Sequence, residues 1–287
     1  MPVASSVILG FWPSNLPDPL AMKSLTMIYP KPLSLLLLVG FVASLASGLL
    51  GSPQQAVGQR VVFQTNLGNI EVQLHPQDAP IAVANFLSYV NAPQGSNYEN
   101  TFFHRSVAGF IVQGGGFYVP VDGAVASVPQ QAQIQNEFGI SNTRGTLAFA
   151  KLGGDPDSAT NQWFFNTADN SANLDNQNGG FTVFGSVVSG MDIVDTIQGL
   201  GAFDLDGIGS TLFDNVPLIT VDPLELVVLN DVVLLGDMNL DGEVDFFDIA
   251  GFISVLAASS FQAEADIDVN DEVNFFDIAP FIDLLSQ

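Results

Sequence analysis

No cysteine occurs anywhere in the 287 residues. That absence excludes disulfide staples, thiolate metal sites and a cysteine nucleophile. Cations are nearly as scarce: 6 Lys+Arg stand against 30 Asp+Glu, a formal net charge of −24. Such a chain lacks the basic face that displaces counterions from phosphates, so nucleic acid is excluded as a partner. The same shortage argues against a polybasic membrane-surface protein. Apolar residues are plentiful, 47% of the chain with 23 Phe, a composition that folds and does not stay disordered. The length exceeds the ~100–200 residues of a typical domain, so two folded units are expected.

The few cations are unevenly placed. After Lys31 they are Arg60, Arg105, Arg144 and Lys151; none follows Lys151, whereas 13 acids lie between Asp231 and Asp283. The C-terminal segment is therefore expected to be a separate module. At the other end, Lys31 precedes an uncharged run of 18 residues, Leu33–Leu50, and Ala46-Ser47-Gly48 or Ala56-Val57-Gly58 offers a cleavage site. Residues 1–58 read as a secretory signal or targeting region, with translation starting at Met22 or Met27. The expected location is secreted, periplasmic or cell-surface. The mature form is expected to have no membrane contact unless the run stays uncleaved as an anchor, its length being near the lower limit for a span.

Between these ends, Arg60 to Thr65 is strand-like and Ile70 to Leu74 alternates apolar with polar residues about a Leu67-Gly68-Asn69 turn. An opening β-hairpin is predicted. Asp78 can cap a helix with Pro80 in its first turn, and Val83, Phe86, Leu87 and Val90 then share one face. A second short helix, Gly190 to Ile197, puts Ile193, Val194 and Ile197 together. Gly199 to Asn215 reads as a long loop, and Leu224 to Leu235 as the last strand of this region. Many short strands with two helices predict a mainly β barrel or sandwich.

The segment Phe103-His104-Arg105-Ser106-Val107-Ala108-Gly109-Phe110-Ile111-Val112-Gln113-Gly114-Gly115 closely resembles the signature of the cyclophilins. Gly145 to Ala150 (GTLAFA), Asn161 to Phe165 (NQWFF), Leu174-Asp175 and Val183-Phe184-Gly185 match that family's later blocks in order. The resemblance covers roughly residues 60–200 and implies an eight-stranded antiparallel barrel closed by two helices, spanning residues 59–235. It also implies isomerisation of X–Pro bonds in proteins or peptides, with no cofactor. Arg105 matches the family's catalytic arginine and Gln113 the glutamine that bonds the substrate backbone. Phe110, Ile111, Phe164 and Leu174 match the proline pocket, and Ala150 the small residue beside which the preceding chain passes. Asn173 and Phe181 stand at the pocket's mouth by the same resemblance, where many members carry Trp and His. His104 reads as structural, and Lys151 to Ser158 as a surface loop. The rival reading is a surface protein whose barrel grips proline segments without useful turnover.

The tail repeats with a period of 29 residues: Asp237 to Asp248 aligns with Asp266 to Asp277. Oxygen-bearing side chains recur at loop positions 1, 3, 5, 9 and 12, as an EF-hand-type calcium site requires. The candidate ligands are Asp237, Asn239, Asp241, Glu243, Asp245 and Asp248, then Asp266, Asp268, Asn270, Glu272, Asn274 and Asp277. Position 6, which needs a positive φ, is Gly242 in one loop and Asp271 in the other. One helix follows each loop, with Ile249, Phe252, Ile253 and Leu256, then Ile278, Phe281, Ile282 and Leu285, on the apolar faces; Pro280 is expected to kink or shorten the second. Paired loops of this kind over residues 236–287 resemble dockerin modules, which implies bound Ca2+ and a cohesin-like docking partner. Calcium is expected to order this tail and leave the barrel alone.

Overall fold

The computed structural model describes residues 59–120, 123–205, 213–258 and 260–286. The expected targeting region, 1–58, lies outside them. Among the described residues no helix is long and apolar enough to cross a membrane.

The predicted hairpin forms: β1 (Arg60–Thr65) pairs antiparallel with β2 (Gly68–Leu74), Val61 opposite Val72 and Phe63 opposite Ile70. Seven further strands follow along the barrel region: β3 (Thr101–Phe102), β4 (Arg105–Val107), β5 (Ile111–Gly114), β6 (Phe117–Tyr118), β7 (Ala126–Ser127), β8 (Thr146–Phe149) and β9 (Trp163–Asn166). After β10 (Val183–Ser189), the strands β11 (Ala202–Phe203), β12 (Val216–Val221) and β13 (Leu224–Leu226) make a small separate sheet. The expected last strand is β14 (Val228–Leu234), paired with β1.

The main sheet is antiparallel, in the order β4-β5-β9-β8-β10-β2-β1-β14-β3-β6-β7. Its eleven strands replace the eight expected, and among the described residues its edges β4 and β7 do not pair with each other, so the sheet is a curled half-barrel. The curl is forced by its inner face. Four strand steps separate β1 from β9, about 19 Å if the sheet were flat. Yet the Phe63 ring lies 5.0 Å from Trp163 and 5.3 Å from Phe165. Val72, Val112, Leu147 and Leu234, from four different strands, join the same core.

Two helices cover this core. α1 (Pro80–Val90) buries Val83, Phe86 and Leu87, as its spacing predicts. Asp78 does not cap it. The carboxylate of Glu137, distant in sequence, accepts the Ile81 and Ala82 N–H groups at 3.1 and 2.8 Å. A one-turn helix, α2 (Ser171–Leu174), was not foreseen. α3 (Met191–Gly199) buries Val194 and Ile197 where the second helix was expected.

The tail consists of two loops, each followed by a helix, α4 (Ile249–Ala258) and α5 (Ile278–Leu285). Pro280 falls in the first turn of α5, where a missing N–H removes no intrahelical bond. Phe252 and Phe281 stack at 4.1 Å between the helices. Their cluster is completed by Val62, Val233 and Leu235 from the outer side of the β1–β14 pair. Across the junction the Gln59 amide donates to the Gly242 carbonyl at 3.0 Å. Barrel and tail thus fall within one compact unit. The tail is thus packed directly against the barrel.

Each fully buried aliphatic side chain contributes ~1.5–3 kcal/mol. Deleting residues 236–287 uncovers three of them, so the remaining barrel should unfold at a lower urea concentration than the chain 59–287. Trp163 fluorescence reads the transition, and equal midpoints would show that the interface contributes nothing.

Candidate functional site

Side chains directly opposite one another in paired strands share a face. Arg105 is opposite Gln113, Gln113 opposite Phe164, Phe164 opposite Ala148, and Ala148 opposite Val183. One row of residues therefore crosses β4, β5, β9, β8 and β10. The alternate residues Val112, Leu147 and Phe165 point into the barrel core, so this row lies on the outer face. There Ile111, Ala148, Phe164, Leu174 and Val183 form a small apolar cluster of their own, with Phe110, Ala150 and Phe181 packed against it.

The glycines after Gln113 let the strand lie against Trp163. A Cβ on Gly114 would meet the indole at 2.8 Å, and Gly115 has φ +80° with the indole nitrogen 2.6 Å from any Cβ. Leu174 is held over the cluster by its neighbour Asp175, whose carboxylate accepts the Asn142 N–H at 2.9 Å and the Ser141 hydroxyl at 2.5 Å. Phe181 N–H donates to the Leu174 carbonyl at 3.1 Å and its ring meets Phe164 edge-on at 5.9 Å.

These residues enclose a cavity of about 240 Å³ lined by Arg105, Phe110, Ile111, Gln113, Ala150, Phe164, Leu174 and Phe181, with Lys151 and Gln177. Eight expected site residues are thereby brought together. Asn173 is not among the lining residues: it is exposed on α2, its carboxamide oxygen accepts from Gln177, and Gln177 stands at the wall in its place. No sequence signal marks Gln177. Lys151, expected in a surface loop, was detectable as one of only four cations after Lys31 and the immediate neighbour of Ala150.

Arg105 is half-buried, and burial lowers its pKa from the ordinary value; a guanidinium nevertheless remains charged in proteins. Among the described residues it has no ion-pair partner. The Gln113 amide donates to Gln162 Oε1 at 2.8 Å, which fixes its orientation. His104 is fully buried, its ring edge-on to Phe117 at 4.9 Å, and desolvation pushes its pKa down to about 4. It is a neutral structural imidazole at ordinary pH.

The two tail loops repeat one hydrogen-bond pattern. Asp237 accepts the N–H groups of Asp241 and Gly242, and Asp266 those of Asn270 and Asp271. Asp248 accepts from Met238, Asn239 and Asp245, and Asp277 from Ile267, Asp268 and Asn274. Gly242 (φ 90°) and Asp271 (φ 67°) take the left-handed conformation expected of them. Carboxylate oxygens of Asp266, Asp268 and Asp277 lie within 4.8 Å of one another. Asp245 and Asn274 instead cap the following helical turns through the Phe247 and Phe276 N–H groups, and Glu243 and Glu272 are exposed. Asp237, Asp248, Asp266 and Asp277 are all buried, and no Lys or Arg follows Lys151 to neutralise them.

Residues 60–218 match the family model described as cyclophilin type peptidyl-prolyl cis-trans isomerase/CLD. A peptidyl-prolyl cis-trans isomerase of Acinetobacter baylyi is 43% identical over 157 residues, which is 54% of this chain and 80% of that protein. The chain belongs to the cyclophilin family. Peptidyl-prolyl cis-trans isomerase B of Escherichia coli is 41% identical over 144 residues, 49% of this chain and 84% of that relative. Among solved structures, a Cryptosporidium parvum cyclophilin type isomerase, crystallised in the presence of the dipeptide Ala-Pro, aligns with 22% identity and a TM-score of 0.46 over 61% of this chain and 98% of its own. The family match ends before the acidic tail.

The burial of His104 predicts a pH dependence of stability. An unfolded His titrates near 6.5 and the folded one at about 4. Because the folded pKa is depressed, the unfolded state takes up the proton first as the pH falls. Stability from this group is complete above about 6.5 and is lost down to about 4, a change of ~3 kcal/mol. Urea unfolding at pH 7, 5.5 and 4.5 should show a shallower loss in His104→Phe than in the wild type. Parallel profiles would show that the imidazole is not held neutral.

Proposed function

We propose that this chain catalyses cis–trans isomerisation of X–Pro bonds in protein or peptide segments at the cavity over β5 and β9. The observation that carries this reading is the position of Arg105: a cation without an ion-pair partner, in one row with Gln113 and Phe164, at the edge of an apolar cavity. X–Pro rotation is opposed by amide resonance, a barrier of ~18–20 kcal/mol. No covalent bond need break, so catalysis consists of binding the twisted amide better than either planar form. The apolar wall of Phe110, Ile111, Phe164, Leu174 and Phe181 takes the proline ring. Arg105 holds the carbonyl of the preceding residue and favours a pyramidal prolyl nitrogen, which weakens resonance. Gln113, oriented by Gln162, bonds the substrate backbone, and Ala150 lets the preceding residue approach. Asn173 has no contact role in this arrangement.

Arg105→Ala should lower kcat/KM by ~100- to 1,000-fold, the scale of removing one electrostatic donor from a transition state. Arg105→Lys should not restore it, since an ammonium lacks the planar fork. A protease-coupled assay on a short X–Pro peptide measures both. Undiminished turnover in folded Arg105→Ala would overturn the mechanism, and binding without turnover in the wild type would favour a protein that merely grips proline segments.

The tail is proposed to hold calcium, and the buried carboxylates without a counter-cation support this. Asp266, Asp268, Asn270 and Asp277 would serve one ion, and Asp237, Asn239, Asp241 and Asp248 the other; the ions would supply the charge neutralisation that the protein itself does not. Phe246, Phe247, Phe275 and Phe276, at matching loop positions, are between 63% and 76% exposed. Apolar side chains so displayed favour a protein partner, here a cohesin-like domain. A secreted location is supported by the apolar run Leu33–Leu50 and by loops of a type that binds calcium at ~10⁻⁴–10⁻³ M outside cells. Millimolar calcium should raise the melting temperature of the whole 59–287 unit, and Asp266→Asn should reduce that rise. No shift with calcium, and no heat on titration, would refute the assignment.

A further inference from the structure

Only four cations lie among the described residues, and two of them are neutralised: Arg60 by Glu71 and Arg144 by Asp195, each at 2.6 Å. The two that are not, Arg105 and Lys151, line the same cavity. In a chain of net charge −24 this gathers at one place the two cations of the described residues that lack an ion pair. Lys151 is also fixed there. Its ammonium donates to Asn136 Oδ1 at 3.1 Å and to the carbonyls of Asn178 and Gly180 at 2.9 and 2.5 Å, all neutral acceptors, and lies 4.8 Å over the Phe181 ring. Asp155 and Asp157 are close enough to act on it electrostatically, but neither comes within ion-pair distance.

Building on the isomerase reading, we infer that Lys151 makes this cavity select X–Pro segments with an acidic side chain on the N-terminal side of the proline. Lys151 directly follows Ala150, beside which that part of the substrate passes. With its three protons already committed, the ammonium acts through its field and not through a new hydrogen bond. An attraction across several ångströms of partly screened space corresponds to a ~3- to 10-fold preference.

Two short peptides that differ only in Glu against Gln one or two residues before the proline separate the possibilities. The wild type should turn over the Glu peptide with a kcat/KM ~3- to 10-fold above the Gln peptide at low salt, and the ratio should shrink toward one as salt rises. Lys151→Gln should bring the ratio to about one, and Lys151→Arg should keep it. A merely structural role in bracing the 178–181 segment would lower both peptides together and leave the ratio unchanged, which would overturn the inference. So would a wild-type ratio of one or less, a result that needs no variant to fold. Turnover of neither peptide would instead overturn the isomerase reading on which the inference rests.

Discussion

The contact of Phe63 with Trp163 and Phe165, made across strands that a flat sheet would hold far apart, is the constraint on which the rest of this molecule depends. Bringing those rings together curls the sheet and gives each strand an inner and an outer face of opposite character. The inner face takes the large aromatics. The outer face, freed from the core, carries the row from Arg105 to Val183. The cavity is thus a consequence of strand alternation on a curved surface, and the glycines after Gln113 are needed because the same strand must also clear the indole of Trp163.

The same curvature leaves Val62 and Val233 on the outside of the β1–β14 pair, and there the tail packs. That placement gives the acidic loops a mechanical relation to the barrel that an appended module on a linker would lack. The loops that flank Phe252 and Phe281 carry buried carboxylates, and no Lys or Arg lies in the tail to pair with them. The cavity beside Arg105 and the acidic loops therefore lie on different parts of one folded unit, with side chains of opposite charge. Among the described residues, one gathers the two cations without an ion pair, and the other gathers anions.

Much of this was legible in the sequence, for definite reasons. Local alternation and helical spacing predicted the opening hairpin, α1, α3, and the two tail helices with their apolar faces, because these depend on neighbours a few residues away. The motif from Phe103 to Gly115, taken with the later blocks, identified Arg105, Gln113 and the apolar wall, and the cavity contains them. The 29-residue repeat was likewise visible as a repeat, down to the positive φ at Gly242 and Asp271. The sequence by itself determined the fold class, the family and the residue types at the site.

What the tertiary structure alone decided are relations between distant segments. Glu137 caps α1 in place of Asp78 because folding brings it to the helix end, which no local spacing reveals. Asn173 is exposed on the one-turn helix while Gln177, three residues past its end, reaches back to donate to the Asn173 carboxamide and lines the cavity, a relation set by the chain's path after the helix. Lys151 begins the expected surface loop and also lines the cavity wall, because acceptors from two distant segments, Asn136 and the 178–180 stretch, converge on its ammonium. The tail joined the barrel's compact unit because strand alternation left apolar residues on the outer face of β1 and β14, and apolar surface exposed to water is covered wherever a second apolar surface can reach it.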